Sequence, residues 1–382
     1  MGSGRGRSRI KNLDEKTGRM KRTFSYWERE EWLQKPDLLI IGAGIVGASV
    51  ALFYKEKYPD SDVLIVDKGI VPEGASTRNA GFTCIGSISE HHADIKIAGK
   101  EIVLKRIERR WNGLRLLRKT MGEDAIDYNH TGGYEVFTDS ELFESCRNQL
   151  PEMNRRLYDS LGIKDVYSET IYEGYPSIFN HVEGAINSGK LMKNLHARLA
   201  RAGVRIWWNT GVKSVQNGSV LFNDGFELEA DKTVIATNGF TSQLLDLPIK
   251  PARGFVFITK PIEDLKWKGT FNHNEGYVYF RNVENRLLLG GARNLAKEEE
   301  TTAQFGANPK IRKYLINFAN NTLKLPKGWE LEMEWSGIMG VTENKEPIVR
   351  EIEKGLFVAA GLSGMGIAIG MQVAKELCEK LD

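Results

Sequence analysis

The run Asp37-Leu38-Leu39-Ile40-Ile41-Gly42-Ala43-Gly44-Ile45-Val46-Gly47, answered by Val63-Leu64-Ile65-Val66-Asp67, constrains this chain more than any other feature. An apolar run of strand length feeds a glycine turn. The turn opens an amphipathic segment, which leads to a second apolar run ending in an acid. That order is a βαβ unit with the spacing of a dinucleotide site. Gly42 permits a tight turn, Gly44 lets the backbone approach a pyrophosphate, and Gly47 lets the helix lie close to the sheet. The helix starting near Gly44 offers its unpaired N–H groups to phosphate. Asp67 stands where a carboxylate accepts hydrogen bonds from a ribose diol.

At 382 residues the chain exceeds what one hydrophobic core usually organises, so two domains are expected. Its 41% apolar and 27% charged residues describe an ordinary globular protein, and a net charge of +3 does not point to nucleic acid. Much of that excess is local: Arg5, Arg7, Arg9, Lys11, Lys16, Arg19, Lys21 and Arg22 face only Asp14 and Glu15. Residues 1–35 therefore read as a basic extension, partly disordered. The two acids and the lack of an amphipathic pattern argue against a targeting or nucleic-acid arm. No membrane span of about 18 apolar residues or signal-peptide core is present, so a cytoplasmic protein is expected. Cys84, Cys146 and Cys378 form no paired motif, which fits a reducing compartment. His91 and His92 are adjacent rather than at a ligand spacing, so no metal site is expected.

Further along, Asp94–Thr120 has an apolar stripe of Ile97, Val103, Leu104, Ile107, Trp111, Leu114 and Leu117, and Glu141–Leu161 reads as a second amphipathic helix. Gly132–Thr138 reads as a strand between them. These elements look like an α+β insertion. The α/β pattern then resumes with a helix over Ser188–Ala202, a strand over Val204–Trp208 and a hairpin around Asn223-Asp224-Gly225. Thr233–Gly239 follows as a buried strand with a polar end. Arg253–Thr259, Gly276–Arg281 and Arg286–Gly290 read as strands of a second sheet. Gly355–Gly361 runs into Leu362-Ser363-Gly364-Met365-Gly366-Ile367 and a terminal helix, a second glycine-rich strand-to-helix turn.

The series GAGIVG, GASTRNAGF (Gly74–Phe82), VIATNGF (Val234–Phe240), PARGF (Pro251–Phe255), YFR…LLLGG (Tyr279–Gly291), WSGIMGVT (Trp335–Thr342) and GLSGMGI (Gly361–Ile367) resembles the D-amino-acid-oxidase-like family of FAD oxidoreductases. Glycine, sarcosine and gamma-glutamylputrescine oxidases belong to it. The resemblance implies an α/β fold: a Rossmann-like FAD-binding domain (36–90, 180–245 and 330–382) interrupted by an α+β substrate domain with a mostly antiparallel sheet (91–179 and 246–329). It implies that FAD takes the backbone of Gly42, Ala43, Gly44, Ile45, Val46 and Gly47, with Asp67 and Lys68 at the adenosine. The loop Ser76-Thr77-Arg78-Asn79-Ala80-Gly81 would pass the pyrophosphate and the flavin edge, and Val212 would meet adenine. Thr237, Asn238, Gly239, Gly340, Gly361, Ser363, Gly364, Met365, Gly366 and Ile367 would complete the site.

The departures from the family pattern concern substrate and acceptor. Met339 replaces the carboxylate-clamping arginine of glycine oxidase-like chains, and Ile367 and Ala368 follow the turn where sarcosine oxidase-like chains carry a lysine. Arg281 and Arg253 are the candidates to supply that charge, and Tyr279 is a further pocket candidate. Gly337 stands near the flavin-linking cysteine position, so non-covalent FAD is expected; Leu288 stands near the lysine that assists oxygen, so another electron acceptor is open. Ser25-Tyr26-Trp27-Glu28 and Thr342-Glu343-Asn344 are similar to the gamma-glutamylputrescine oxidase branch. The implied activity is oxidation of a C–N bond in an amine or amino acid, a small-molecule substrate, with no side chain nominated as base. A hydroxy-acid dehydrogenase and a non-catalytic flavin-binding subunit are the alternatives. The oligomeric state is left open.

Overall fold

A computed structural model describes residues 23–216 and 218–381. The basic extension expected at the start lies mostly outside the described residues. A six-stranded sheet runs in the order Ile348–Glu353, Leu356–Ala360, Lys232–Ile235, Leu38–Ile41, Val63–Val66, Arg205–Trp207. All neighbours are parallel except the first pair. Leu38–Ile41 and Val63–Val66 are buried on both faces, which is why they read as unbroken apolar runs. Leu38, Ile40 and Ile65 share a core with the helices Ile45–Lys57 and Gly366–Cys378; Leu39, Leu64 and Val66 share another with the meander Val212–Gln216, Ser219–Phe222, Glu227–Glu229. The helices cross closely because two positions carry no side chain. A Cβ at Gly370 would meet Ile45 Cγ2 at 2.9 Å, and one at Gly113 of helix Lys100–Met121 would meet Ala368 O at 2.1 Å.

An eight-stranded sheet runs in the order Leu331–Val341, Lys250–Thr259, Arg286–Gly291, Val278–Val283, Thr270–His273, Gly133–Val136, Tyr175–Asn180, Tyr167–Tyr172. Its pairs are antiparallel apart from Thr270–His273 with Gly133–Val136. Strand alternation sends Phe255, Phe257, Phe271, Phe280, Leu287 and Leu289 into one core with Ile311, Leu315 and Phe318 of helix Pro309–Asn321. The opposite face carries Met339, Gly337 and Trp335 in register with Ala252, Gly254 and Val256, then Gly290 and Tyr279. This face lies against the segment after the first βαβ unit: a Cβ at Gly337 would meet Arg78 Cβ at 3.2 Å, and the Phe82 and Tyr279 rings lie 5.9 Å apart.

Several expected elements divide or move. The helix expected over Asp94–Thr120 is two, Ile88–Ala98 and Lys100–Met121, because Gly99 at φ +86° turns the chain between them. That bend takes Ile97 off the apolar stripe and leaves it 86% exposed. Glu141–Leu161 likewise splits into Ser140–Arg147 and Leu150–Leu161, since Pro151 fits a first helical turn and not an interior. The boundary expected at residue 330 falls just before Leu331–Val341, a strand of the eight-stranded sheet. The helix expected over Ser188–Ala202 spans Ser188–Arg201, and the terminal helix spans Gly366–Cys378. No helix among the described residues is long and apolar enough to cross a membrane.

Candidate dinucleotide and substrate site

The first glycine turn is built so that side chains cannot enter it. Gly42 has φ +109°, and a Cβ there would stand 2.7 Å from Ala236 O. A Cβ at Gly47 would stand 2.0 Å from Gly42 O and 3.1 Å from Ile40 Cγ2. Gly44 is the N-cap of the helix and offers no side-chain cap; Ser76 Oγ supplies it instead, accepting from Ile45 N at 2.9 Å. Asp67 accepts from Ala43 N at 2.8 Å through Oδ2 and from Gly69 N at 2.9 Å through Oδ1, which fixes its carboxylate beside the turn. Val46, in the first helical turn, is buried. A Cβ at Gly211, next to Val212, would come within 3.8 Å of Lys68 Cβ, so the start of the meander adjoins the end of the second strand. A helix N-terminus, a fixed carboxylate and a glycine-lined mouth at the carboxyl ends of parallel strands fit a dinucleotide.

Two further backbone turns close on the same place. In the first, Asn79 Nδ2 donates to Ala75 O at 3.0 Å and Ser76 O at 2.8 Å, while its Oδ1 accepts from Gly81 N at 2.8 Å and Ser188 Oγ at 2.6 Å. Asn79 is spent on holding Ser76–Gly81 in shape. Thr77 Oγ1 donates to Pro72 O. In the second, Asn238 has φ +47°, and its Oδ1 accepts from Gly361 N at 3.1 Å and Leu362 N at 3.3 Å. Ser363 N donates to Gly340 O at 2.8 Å, and Thr237 Oγ1 lies 3.0 Å from Thr241 Oγ1. Cβ atoms at Gly239 and Gly340 would stand 2.5 Å from Met339 O and 2.6 Å from Asn238 Oδ1. Gly361 and Gly364 have φ +85° and +86°, and Met365 caps the helix that Gly366 and Ile367 begin. Residues 237–239, 339–340 and 361–367 thus converge, as the sequence spacing alone did not reveal.

The substrate candidates separate. Tyr279 stands on the face with Phe82; its hydroxyl makes no hydrogen bond among the described residues, and burial pushes its pKa up to about 12. Leu288, paired with Arg281, shares that face and is 6% exposed. Met339 reaches between two glycines, its Cε 3.4 Å from a Cβ at Gly254 and its Sδ 3.7 Å from one at Gly364. Arg281 faces the same way, but its Nη1 donates to Ala80 O at 3.3 Å, Gly81 O at 3.1 Å and Ile186 O at 3.0 Å. Burial lowers its pKa to about 10. It is a strut under the Ala80–Gly81 backbone, with Nη2 alone unengaged among the described residues. Arg253 is not among the pocket residues. It alternates to the opposite face and pairs bidentately with fully buried Glu300 at 2.9 and 2.7 Å. One residue escaped sequence reasoning: His196 Nε2 lies 2.9 Å from Ala43 O, its pKa lowered by burial, beneath the glycine turn. A lone histidine in an amphipathic helix gives no sign of that.

Fold and site together define a dinucleotide-binding α/β protein. The family model described as FAD dependent oxidoreductase matches residues 37–380, and the chain belongs to that family of FAD-dependent oxidoreductases. It is 25% identical over 370 residues to the probable oxidoreductase OrdL of Rhizobium meliloti, covering 91% of this chain and 83% of that one. It is 20% identical over 370 residues to the gamma-glutamylputrescine oxidoreductase of Escherichia coli, covering 90% and 83%. Among solved structures, glycine oxidase from Geobacillus kaustophilus superposes with a TM-score of 0.70 at 20% identity, covering 91% of this chain and 95% of that one.

Proposed function

We propose that the protein uses non-covalent FAD to oxidise a C–N bond of an amine or amino acid, with the six-stranded sheet as the FAD-binding domain and the opposed face of the eight-stranded sheet as the substrate wall. When bound, FAD supplies the hydride acceptor for this chemistry, and hydrolysis of the resulting imine yields a carbonyl compound. The chain's part is to bind, orient and exclude. Gly42–Gly47 and the helix at Ile45 would receive the pyrophosphate, and Asp67 the ribose. The N–H groups that begin helix Gly366–Cys378 would face the flavin's polar end. Gly337 leaves no thiol for a covalent link.

The observation that carries the reading is the face of the eight-stranded sheet that sets Tyr279 against Phe82, with Leu288 on the same face and Met339 further along it beside Gly254 and Gly364. It is apolar apart from the Tyr279 hydroxyl, which can orient a polar substrate group, and the Arg281 guanidinium, which is largely spent on carbonyls. Tyr279, with its pKa near 12, is neutral at ordinary pH and serves as a donor or acceptor rather than a base. An amine that enters unprotonated needs no base to lose hydride. With Arg253 committed to Glu300 and Arg281 largely to carbonyls, a carboxylate here has little cationic support, so amines without an adjacent carboxylate should be the better donors. An anaerobic panel tests this. Amines are expected to bleach the flavin, and readmitted air shows whether oxygen takes the electrons. Bleaching by hydroxy acids alone would replace this reading with a hydroxy-acid dehydrogenase.

A further inference from the structure

Two cations, Lys68 and Arg78, flank the glycine turn. Lys68 directly follows Asp67, and Arg78 ends the helical turn that carries Ser76. Neither forms an ion pair among the described residues. Aromatic rings hold them instead: Lys68 Nζ sits 3.5 Å from the centroid of Phe240, and Arg78 Cζ sits 4.4 Å from that of Phe305. Phe240 and Phe305 meet edge-on, their centroids 6.4 Å apart. The result is a continuous ladder, Lys68–Phe240–Phe305–Arg78, across the carboxyl ends of the strands.

Its members come from separate parts of the chain. Phe240 follows Gly239 on the six-stranded side, whereas Phe305 is carried by the segment between Arg286–Gly291 and helix Pro309–Asn321. The base of that segment is fixed by the Arg253–Glu300 pair and by Arg253 Nη1 donating to Gln304 O at 3.3 Å. Gly306 N donates to Ser336 Oγ at 3.0 Å, and Arg78 Nη1 donates to Ser336 O at 3.1 Å. A rigid base thus presents a phenyl ring that is 42% exposed.

We propose that Phe305 is a retaining residue for the dinucleotide: it bridges the two halves of the molecule over the glycine turn and positions Arg78, with Lys68 set by Phe240, to meet a diphosphate. This rests on the FAD-binding reading. Cations laid on rings rather than paired with carboxylates keep their charge available to an anion. Removing the bridge frees both the exit path and the Arg78 side chain.

The test compares FAD release from the wild-type holoprotein, Phe305→Ala and Phe305→Trp. Flavin fluorescence is followed after dilution, and melting of each deflavinated protein checks the fold. Phe305→Ala should release FAD about tenfold faster, Phe305→Trp should stay near wild type, and the deflavinated proteins should melt together. Wild-type release from Phe305→Ala, in a protein that binds FAD, would overturn the retaining role alone. A wild-type protein that takes up no FAD would overturn the cofactor reading and this inference with it.

Discussion

The site depends on residues that act by being small. Gly47→Ala would set a methyl 2.0 Å from Gly42 O, which only backbone movement relieves. Its flavin content after purification in limiting FAD should fall roughly tenfold or more, and wild-type content would refute the assigned role. Met339→Arg restores a charge between Gly254 and Gly364. A new charge-assisted contact contributes about 1.5–3 kcal/mol, so apparent KM for an amino acid should fall roughly tenfold or more relative to its decarboxylated amine. Arg281→Met is the complementary case. As a strut, Arg281 should affect both donors alike; a loss confined to the carboxylated one would make its Nη2 the clamp. The glycines were legible because their spacing is local. The commitments of Arg253 to Glu300 and Arg281 to Ile186 were not, since each depends on a partner far along the chain.

At the scale of elements, the helix Ile88–Ala98 is seated on buried carboxyl groups. Glu183 Oε1 accepts from Ile85 N at 2.9 Å and Gly86 N at 3.1 Å, while Glu135 accepts from Ser89 N at 3.1 Å. Burial raises their pKa values, Glu183 to about 8 and Glu135 to about 7. Folded Glu183 keeps a proton that the unfolded chain has released, so its stabilisation is full below about 4.5 and is lost as pH rises through 8. Melting temperature should therefore fall between roughly pH 4.5 and pH 8, with Glu135 adding to the part below about 7, and Glu183→Gln, which keeps the acceptor, should remove the larger share of that fall. An unchanged slope would show that other groups titrate. Arg253→Ala would strand buried Glu300 and should cost about 3–5 kcal/mol of stability. Because the Arg253–Glu300 pair also braces the segment that carries Phe305, the surviving folded enzyme should release FAD faster. Helix identities were readable from periodicity, but the interruptions at Gly99 and Pro151 replaced one long element with two, because turn geometry overrides an apolar stripe.

For the whole molecule, the account joins a glycine-lined mouth on one sheet to an apolar wall on another. Pattern alone gives the central parallel strands as unbroken apolar runs and the strands Arg253–Thr259, Gly276–Arg281 and Arg286–Gly290 of the second sheet, whereas Tyr167–Tyr172, Thr270–His273 and Leu331–Val341 carry no such signal. The convergence of residues 237–239, 339–340 and 361–367 follows from the family resemblance and not from spacing, because hydrogen bonds such as Gly361 N to Asn238 Oδ1 carry no local signature. The central claim is that bound FAD takes its electrons from a carbon bearing nitrogen. Anaerobic single turnover tests it most directly, with the holoprotein mixed with one equivalent of an amine, the loss of flavin absorbance recorded and the carbonyl product counted. The account predicts one carbonyl formed per flavin reduced, with no reduction by the matching alcohol or hydroxy acid. Reduction by the hydroxy acid and by no amine would contradict it.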